Sequence, residues 1–364
     1  MNFRKRLDIV QNRLEKSEID LFMIGPSSSL KYLVGYNGKI DERLLLLVMM
    51  PGEEPFFIAN RLYELQLKKT IINDFIFWDD KEEPVKKLIE KLKNQNKKIK
   101  KVAIDKSVPS LFSIPILNSL NNCEVILGNS LIDDLRIIKD EEEIEYMAKA
   151  CKLASESLSE VIELGDYWLD KTENEFMAYL AFEMSKRNLK LPSGIVAVGE
   201  NAAAPHHITG KDKIKNGNGL MVDFGGNYNN YNTDMTRTFH FGIPSDEFKK
   251  VYEIVLEANR LGKEAARVGN LLEDVDRASR NYIIKKGYGE FFTHRTGHGI
   301  GIDGHEGPSA CEGEKTPIVE GMAFSVEPGI YLPGKFGIRI EDQVVITKNG
   351  IKVLHDFPRK LQIK

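Results

Sequence analysis

The stretch GLMVDFGGNYNNYNTDMTRTFHFG (219–242) constrains the fold more than any other: two strand-like arms flank a turn rich in Gly and Asn, the signature of an antiparallel hairpin. Each arm also carries an acid. Asp223 and Asp234 are eleven positions apart, so a turn centred between Tyr228 and Asn229 sets them directly opposite one another. Opposed residues on antiparallel strands have Cβ atoms about 4.5–5.5 Å apart, where like charges destabilise the sheet. A cation between them removes the penalty.

The same device recurs in FSVEPGIYLPGKFGIRIEDQVVI (324–346), where Glu327 and Glu341 flank a turn at PGKFG and lie symmetrically about Gly334. Four carboxylates converging on one pocket raise each other's pKa and lose hydration, so two divalent cations are the expected compensation. A third stretch, HRTGHGIGIDGHEG (294–307), holds three of the seven histidines. It is not a zinc-protease helix: H-E-x-x-H is absent, and Gly297 and Gly299 around His298 each cost a helix about 1 kcal/mol relative to Ala. With so many oxygen donors only one imidazole need bind metal, which suits Mn²⁺, Co²⁺ or Fe²⁺ better than tetrahedral structural zinc.

Other chemistries lack their signatures. GIGIDG (299–304) satisfies G-x-G-x-x-G, but Pro308, Gly307 and the preceding TGHG leave no strand before it and no helix after it. Neither a G-x-S-x-G elbow nor a phosphate-binding G-x-x-x-x-G-K-[ST] loop occurs. Cys123, Cys151 and Cys311 are odd in number and widely spaced, which predicts a reducing compartment rather than a disulfide framework.

A chain of 364 residues predicts two domains. From 1 to 132 helical and strand-like segments mix as in an α/β domain, with LLLLVMM (44–50) as a buried strand. Residues 134–163 read as one long helix whose first turn, Asp140 to Glu143, is acidic. Residues 133–364 then form an α+β domain containing two further helices, EFKKVYEIVLEANRLGKEAAR and LLEDVDRASRNYIIKKG. The net charge of −3 gives no pull toward nucleic acid or membrane, and the basic stretch 86–101 reads as a solvated helix face. No export signal or membrane-length apolar run is visible, so a cytoplasmic location is expected.

Five blocks, PHH, VDFGG, TDMTRT, HRTGHGIG…HE, and VEPGIY followed by GIRIED, make residues 135–360 resemble the "pita-bread" metallopeptidases of the M24 type. These include Xaa-Pro dipeptidase, Xaa-Pro aminopeptidase and methionine aminopeptidase. The resemblance implies an α+β architecture: a C-terminal pita-bread (creatinase/aminopeptidase-like) domain behind an N-terminal α/β domain of the creatinase/prolidase type. It implies metal ligands Asp223, Asp234, His298, Glu327 and Glu341, with Asp234 and Glu341 bridging two ions. Mn²⁺ is the expected metal, with Co²⁺, Fe²⁺ and Zn²⁺ as alternatives.

The resemblance further implies a metal-activated water as nucleophile, with Glu327 as both ligand and proton acceptor. His305 resembles the histidine that contacts the substrate carbonyl, and His206 the one near the scissile nitrogen. His294 would shape the pocket beyond the scissile bond, and Arg339 would hold a ligand carboxylate. The glycines around His298 are expected to let backbone approach metal and substrate closely. The implied substrate is a short proline-containing peptide, and relatives of this kind are commonly homodimers. The HRTGHGIG and GIRIED forms favour a dipeptidase over an aminopeptidase. The N-terminal domain disfavours a methionine aminopeptidase, and a non-catalytic peptide-binding module is the alternative from another class.

Overall fold

The computed structural model describes residues 2–95, 97–120 and 122–364, and the chain divides into two compact units, Met1–Arg136 and Ile137–Lys364. The first unit is built on a mixed sheet of six strands: β1 (Leu21–Ile24), β2 (Leu45–Met49), β3 (Phe56–Asn60), β4 (Asp74–Trp78), β5 (Lys101–Ile104) and β6 (Glu124–Leu127). Their spatial order is β4-β3-β2-β1-β5-β6. The apolar run 44–50 forms the centre of this sheet because both of its faces are covered: every residue of β1, β2 and β3 is buried. Helices α1 (Phe3–Lys16), α2 (Ser28–Val34), α3 (Glu64–Leu67), α4 (Pro84–Asn94), α5 (Ser110–Leu120) and α6 (Ser130–Ile137) complete it. At the β6 edge Val125 and Leu127 are exposed.

Where one helix was expected over 134–163 there are two. The chain leaves α6 at Ile137, Lys139 N–H bonds to the Gly321 carbonyl, and α7 (Glu141–Ile162) starts afresh. Asp140 is its cap rather than an interior residue: its carboxylate accepts from Glu143 N–H while the Glu143 side chain accepts from Asp140 N–H. This reciprocal capping satisfies two donors that a helix start would otherwise strand.

The second unit continues with α8 (Glu173–Lys186), β7 (Lys190–Val198), β8 (Gly219–Tyr228), β9 (Tyr231–His240), α9 (Asp246–Ala265) and α10 (Leu272–Lys285). Helix α8 lies outside the helices expected from sequence, although Thr172 and Glu175 form a second capping box. The remaining strands are β10 (Gly297–Gly299), β11 (Glu306–Ala310), β12 (Ala323–Val326), β13 (Gly329–Leu332), β14 (Phe336–Arg339), β15 (Asp342–Thr347), β16 (Gly350–Val353) and β17 (Gln362–Ile363). They form sheets β17-β9-β8-β7, β11-β10-β12-β15-β16 and β13-β14.

Strand alternation decides which side chains face the helices. On β8 and β9, Leu220, Val222, Phe224, Met235 and Phe239 join the core beneath α7 and α8. Asp223 and Asp234 therefore emerge on the opposite face. On β12 and β15, Phe324, Val326, Val344 and Ile346 pack in a core with Leu272 and Val275 of α10, sending Ser325 and Gln343 to the other side.

The β8–β9 turn lies one residue later than expected: Tyr228 pairs with Tyr231, so the loop is Asn229-Asn230. Both asparagines have positive φ, 47° and 73°, as a two-residue hairpin turn demands, and Asn tolerates this where Tyr228 would not. Asp223 consequently pairs with Thr236, and Asp234 with Gly225. The acids are diagonal rather than opposite, yet still on one face, because moving the turn centre by one residue shifts the pairing by two. The turn should respond to substitution accordingly: N230G is neutral or stabilising, and N230V costs about 1–2 kcal/mol. Chemical denaturation measures this, and an N230V protein as stable as the parent contradicts the assigned turn.

Candidate metal centre

The second ribbon keeps the register expected of it. Gly329 pairs with Arg339 on β13–β14 and Val326 with Asp342 on β12–β15, all symmetric about Gly334. Glu327 and Glu341 sit between these two paired stretches, where the ladder breaks. Their backbone N–H groups bond elsewhere: Glu327 to the Thr296 carbonyl at 2.7 Å and Glu341 to the Thr236 carbonyl at 3.1 Å. Thr236 is the partner of Asp223, so this bond joins the two ribbons at their acids.

Asn259 of α9 holds the break closed. Its Nδ2 donates to the carbonyls of Val326 at 2.8 Å and Ile340 at 3.1 Å, the residues preceding each glutamate. Sequence reasoning missed it. The available signal was an amide on the apolar face of an amphipathic helix, between Ala258 and Gly262, all three buried.

His298 arrives on β10. Gly297 and Gly299 are required, though for a reason different from the one expected: they meet neighbouring backbone rather than metal or substrate. A Cβ on Gly297 would fall 1.9 Å from the Ser325 carbonyl oxygen, and one on Gly299 would fall 2.6 Å from that of Gly307. Ser325 then ties His298 to the second ribbon, its Oγ accepting from His298 N–H at 3.0 Å and donating to Glu327 at 3.2 Å.

The five side chains implied as ligands are brought together around one cavity of about 580 Å³, which His206, His294, Arg295, His305 and Arg339 also line. Donor atoms of Asp223, Asp234 and Glu341 lie within 4.8 Å of one another, as do those of His298, Glu327 and Glu341, and those of Asp234, His298 and His305. Glu341 belongs to the first two groups, Asp234 to the first and third, and His298 to the second and third, so the donor atoms form one overlapping cluster. Arg339 pairs with Asp223, and Arg295 also lines the cavity, so two guanidinium groups face four acids. Thr236 Oγ1 donates to Glu341 Oε2 at 2.7 Å, while Glu341 Oε1 is buried with no hydrogen-bond partner.

Negative charge in this pocket is only partly compensated. Burial, then the charges of Asp223 and Glu327, holds Asp234 well above the usual carboxylate range. Burial, then Asp234, Glu327 and Asp223, does the same to Glu341. Burial, opposed by Arg339 and reinforced by Asp223, pushes Glu327 up to about 7. Burial, then His305, pushes His298 down to about 3, so its ring is neutral. Its Nδ1 faces the Gly299 carbonyl, which can only accept, so Nδ1 carries the hydrogen. The bare Nε2 lone pair then faces Glu327 at 3.3 Å and Asp234 at 3.9 Å. Lone pairs aimed at carboxylates, beside an orphaned carboxylate oxygen, fit a site built for cations.

The other histidines have defined tautomers too. His294 Nδ1 donates to the Arg295 carbonyl at 2.7 Å, so its Nε2 accepts from Tyr331 O–H at 2.7 Å. Arg339 donates to the same Tyr331 oxygen at 2.7 Å, linking the pocket wall to Asp223. With both nitrogens committed, His294 offers the cavity only its ring. Arg295 donates to His305 Nδ1 at 3.3 Å, which leaves a neutral His305 with Nε2–H as a donor.

These shifts make stability depend on pH. Above about pH 7.5 the depressed histidines are largely neutral whether folded or unfolded, so the carboxylates with raised values govern the pH dependence of this site. Folding raises their pKa, so the stability they contribute is full below the ordinary carboxylate range and falls as pH rises, that of Glu327 through about 7 and that of Asp234 and Glu341 in the same direction. Metal-free protein should therefore melt at progressively lower temperature from pH 7.5 to 8.5, and a divalent cation should raise the melting temperature most at the alkaline end. Calorimetry checks both. A metal-free melting temperature that is flat or rising over that range contradicts the crowding of charge.

The profile of metallopeptidase family M24 matches residues 145–348, and that of the creatinase/prolidase N-terminal domain matches residues 6–138. The chain is 33% identical over 353 residues to an Xaa-Pro dipeptidase of Pyrococcus horikoshii, covering 96% of each. It is 40% identical over 235 residues to an Xaa-Pro dipeptidase of Pyrococcus furiosus, covering 64% of this chain and 67% of that one. A crystal structure of recombinant prolidase from Thermococcus sibiricus superposes with a TM-score of 0.94 at 35% identity, over 100% of both chains. An X-Pro aminopeptidase from Thermotoga maritima also superposes, with a TM-score of 0.87 at 31% identity over 98% of this chain and 99% of that one. This chain belongs to metallopeptidase family M24 and carries the creatinase/prolidase N-terminal domain.

Proposed function

We propose that the protein is an Xaa-Pro dipeptidase in which Asp223, Asp234, His298, Glu327 and Glu341 hold two divalent ions, Mn²⁺ by preference. The observation that carries this reading is the convergence of four acids and one bare imidazole nitrogen on a single cavity. Bound divalent ions supply Lewis acidity and lower the pKa of water toward neutrality.

The chain's own groups supply the rest. Glu327, poised near 7, accepts the proton of the attacking water. The Nε2–H of His305 donates to the scissile carbonyl oxygen as it gains charge. His206, exposed at the cavity, stands near the scissile nitrogen, which takes up the proton accepted by Glu327 as the bond breaks. Arg339 holds Asp223, and the His294–Tyr331 pair forms the pocket wall. A proline nitrogen carries no hydrogen, so a peptidase that binds substrate as an extended strand loses a bond there, which a pocket shaped for the ring avoids. That the residue after the scissile bond is proline rests on the names of the relatives. Residues 1–132 are assigned to the N-terminal domain and 133–364 to the catalytic domain, with a cytoplasmic homodimer as the working form.

Arg295 favours a dipeptide over a longer substrate. It lines the cavity and donates to Ser309 Oγ at 2.9 Å and to His305, and these partners leave its charge free for a substrate carboxylate. Mn²⁺-loaded protein should hydrolyse Gly-Pro in preference to Gly-Pro-Xaa tripeptides. R295A should raise KM for Gly-Pro about 10- to 100-fold with little change in kcat, the value of a hydrogen bond to a charged group. Cleavage of the tripeptides alone overturns the assignment in favour of an aminopeptidase. Purified protein that contains no divalent metal and hydrolyses no Xaa-Pro peptide after metal addition is instead a peptide-binding module.

A further inference from the structure

The PHH block contains two histidines, and the mechanism above uses only the first. His207 is not among the residues that line the cavity. Its Nε2 lies 2.8 Å from Glu173 Oε2, and Glu173, the first residue of α8, is fully buried.

The Glu173 carboxylate accepts three further hydrogen bonds. Its Oε1 receives Val198 N–H at 2.9 Å and Asn201 Nδ2 at 3.0 Å, and its Oε2 receives Gly210 N–H at 2.7 Å. Because a carboxylate with these partners only accepts, His207 presents Nε2–H to it. Val198 and Gly210 bracket the loop that carries His206, so both ends of that loop hang from one side chain. His207, the immediate neighbour of His206, hangs from it as well. The positive end of the α8 dipole favours the negative charge at this point.

Resting on the reading of His206 given above, we infer that Glu173 and His207 are a positioning pair that fixes His206 against the cavity. Every bond in the cluster is a donor to a single buried anion, so removing the His207 donor frees the backbone step that sets the His206 ring. Displacing a reacting group by about 1 Å can cost up to about 100-fold in rate.

The test compares full-length, metal-loaded H206A, H207L, H207Q, E173Q and the double variant H206A/H207L on the Xaa-Pro peptide the parent cleaves best. H207L removes the donor, and H207Q restores an amide N–H. E173Q replaces one accepting oxygen with a donor and should reproduce the H207L defect. H207L should lower kcat about 10- to 100-fold at little-changed KM, with parental metal content and melting temperature. H207Q should recover most of that loss. The double variant should be no slower than H206A, because His207 acts through His206.

Parental kcat in H207L beside a slow H206A overturns the pairing while leaving the His206 assignment standing. So does a double variant in which the two losses multiply, or an H207Q protein no faster than H207L. Parental kcat in H206A removes the His206 assignment and this inference together.

Discussion

Mutual repulsion among Asp223, Asp234, Glu327 and Glu341 is the constraint on which the rest of this molecule depends. Two unit charges about 4 Å apart interact by about 4 kcal/mol at the effective dielectric of a protein site, and the four acids contain several such pairs. Arg339 neutralises one of them. Glu341 is buried and the other three acids are only partly exposed, so bulk water relieves the remaining repulsion incompletely. Protonation or metal must do so, and the neutral His298, its lone pair turned toward these acids, suits metal.

Much of the surrounding structure serves to hold that repulsion in place. The bond from Glu341 N–H to Thr236 pins one ribbon to the other, Asn259 bridges the carbonyls before both glutamates, and Ser325 links His298 to Glu327. Below Glu341, the buried carboxylate of Asp342 meets Arg237, Lys263 and Arg359, and Arg237 also donates to the Glu341 carbonyl. An acid deliberately oversupplied with cations thus lies beside one that has none, and the contrast separates structural charge from charge available to chemistry.

The acids were legible in the sequence because strand alternation has a period of two. The turn of the first ribbon lies one residue from its expected place, yet parity kept Asp223 and Asp234 on one face. The second ribbon's symmetry about Gly334 was readable, but the break in its ladder was not, because it is produced by Thr296 and Thr236 from distant parts of the chain. Distance in sequence also hid Asn259 and Glu173, whose partners lie tens of residues away. The helix break at Asp140 was missed for a local reason: an Asp three residues before a Glu reads equally well as an acidic first turn and as a cap. The glycines flanking His298 were recognised as necessary, and only the structure shows that they admit the backbones of Ser325 and Gly307.

Metal-free protein can be loaded with Mn²⁺ at pH 8, freed of excess ion by dialysis, and its bound metal located by anomalous diffraction. Two ions per chain are expected, both among Asp223, Asp234, His298, Glu327 and Glu341 and sharing Asp234 and Glu341 between them. Fewer than two ions at saturation, or ions bound away from these side chains, would contradict a paired-metal centre built on the four acids.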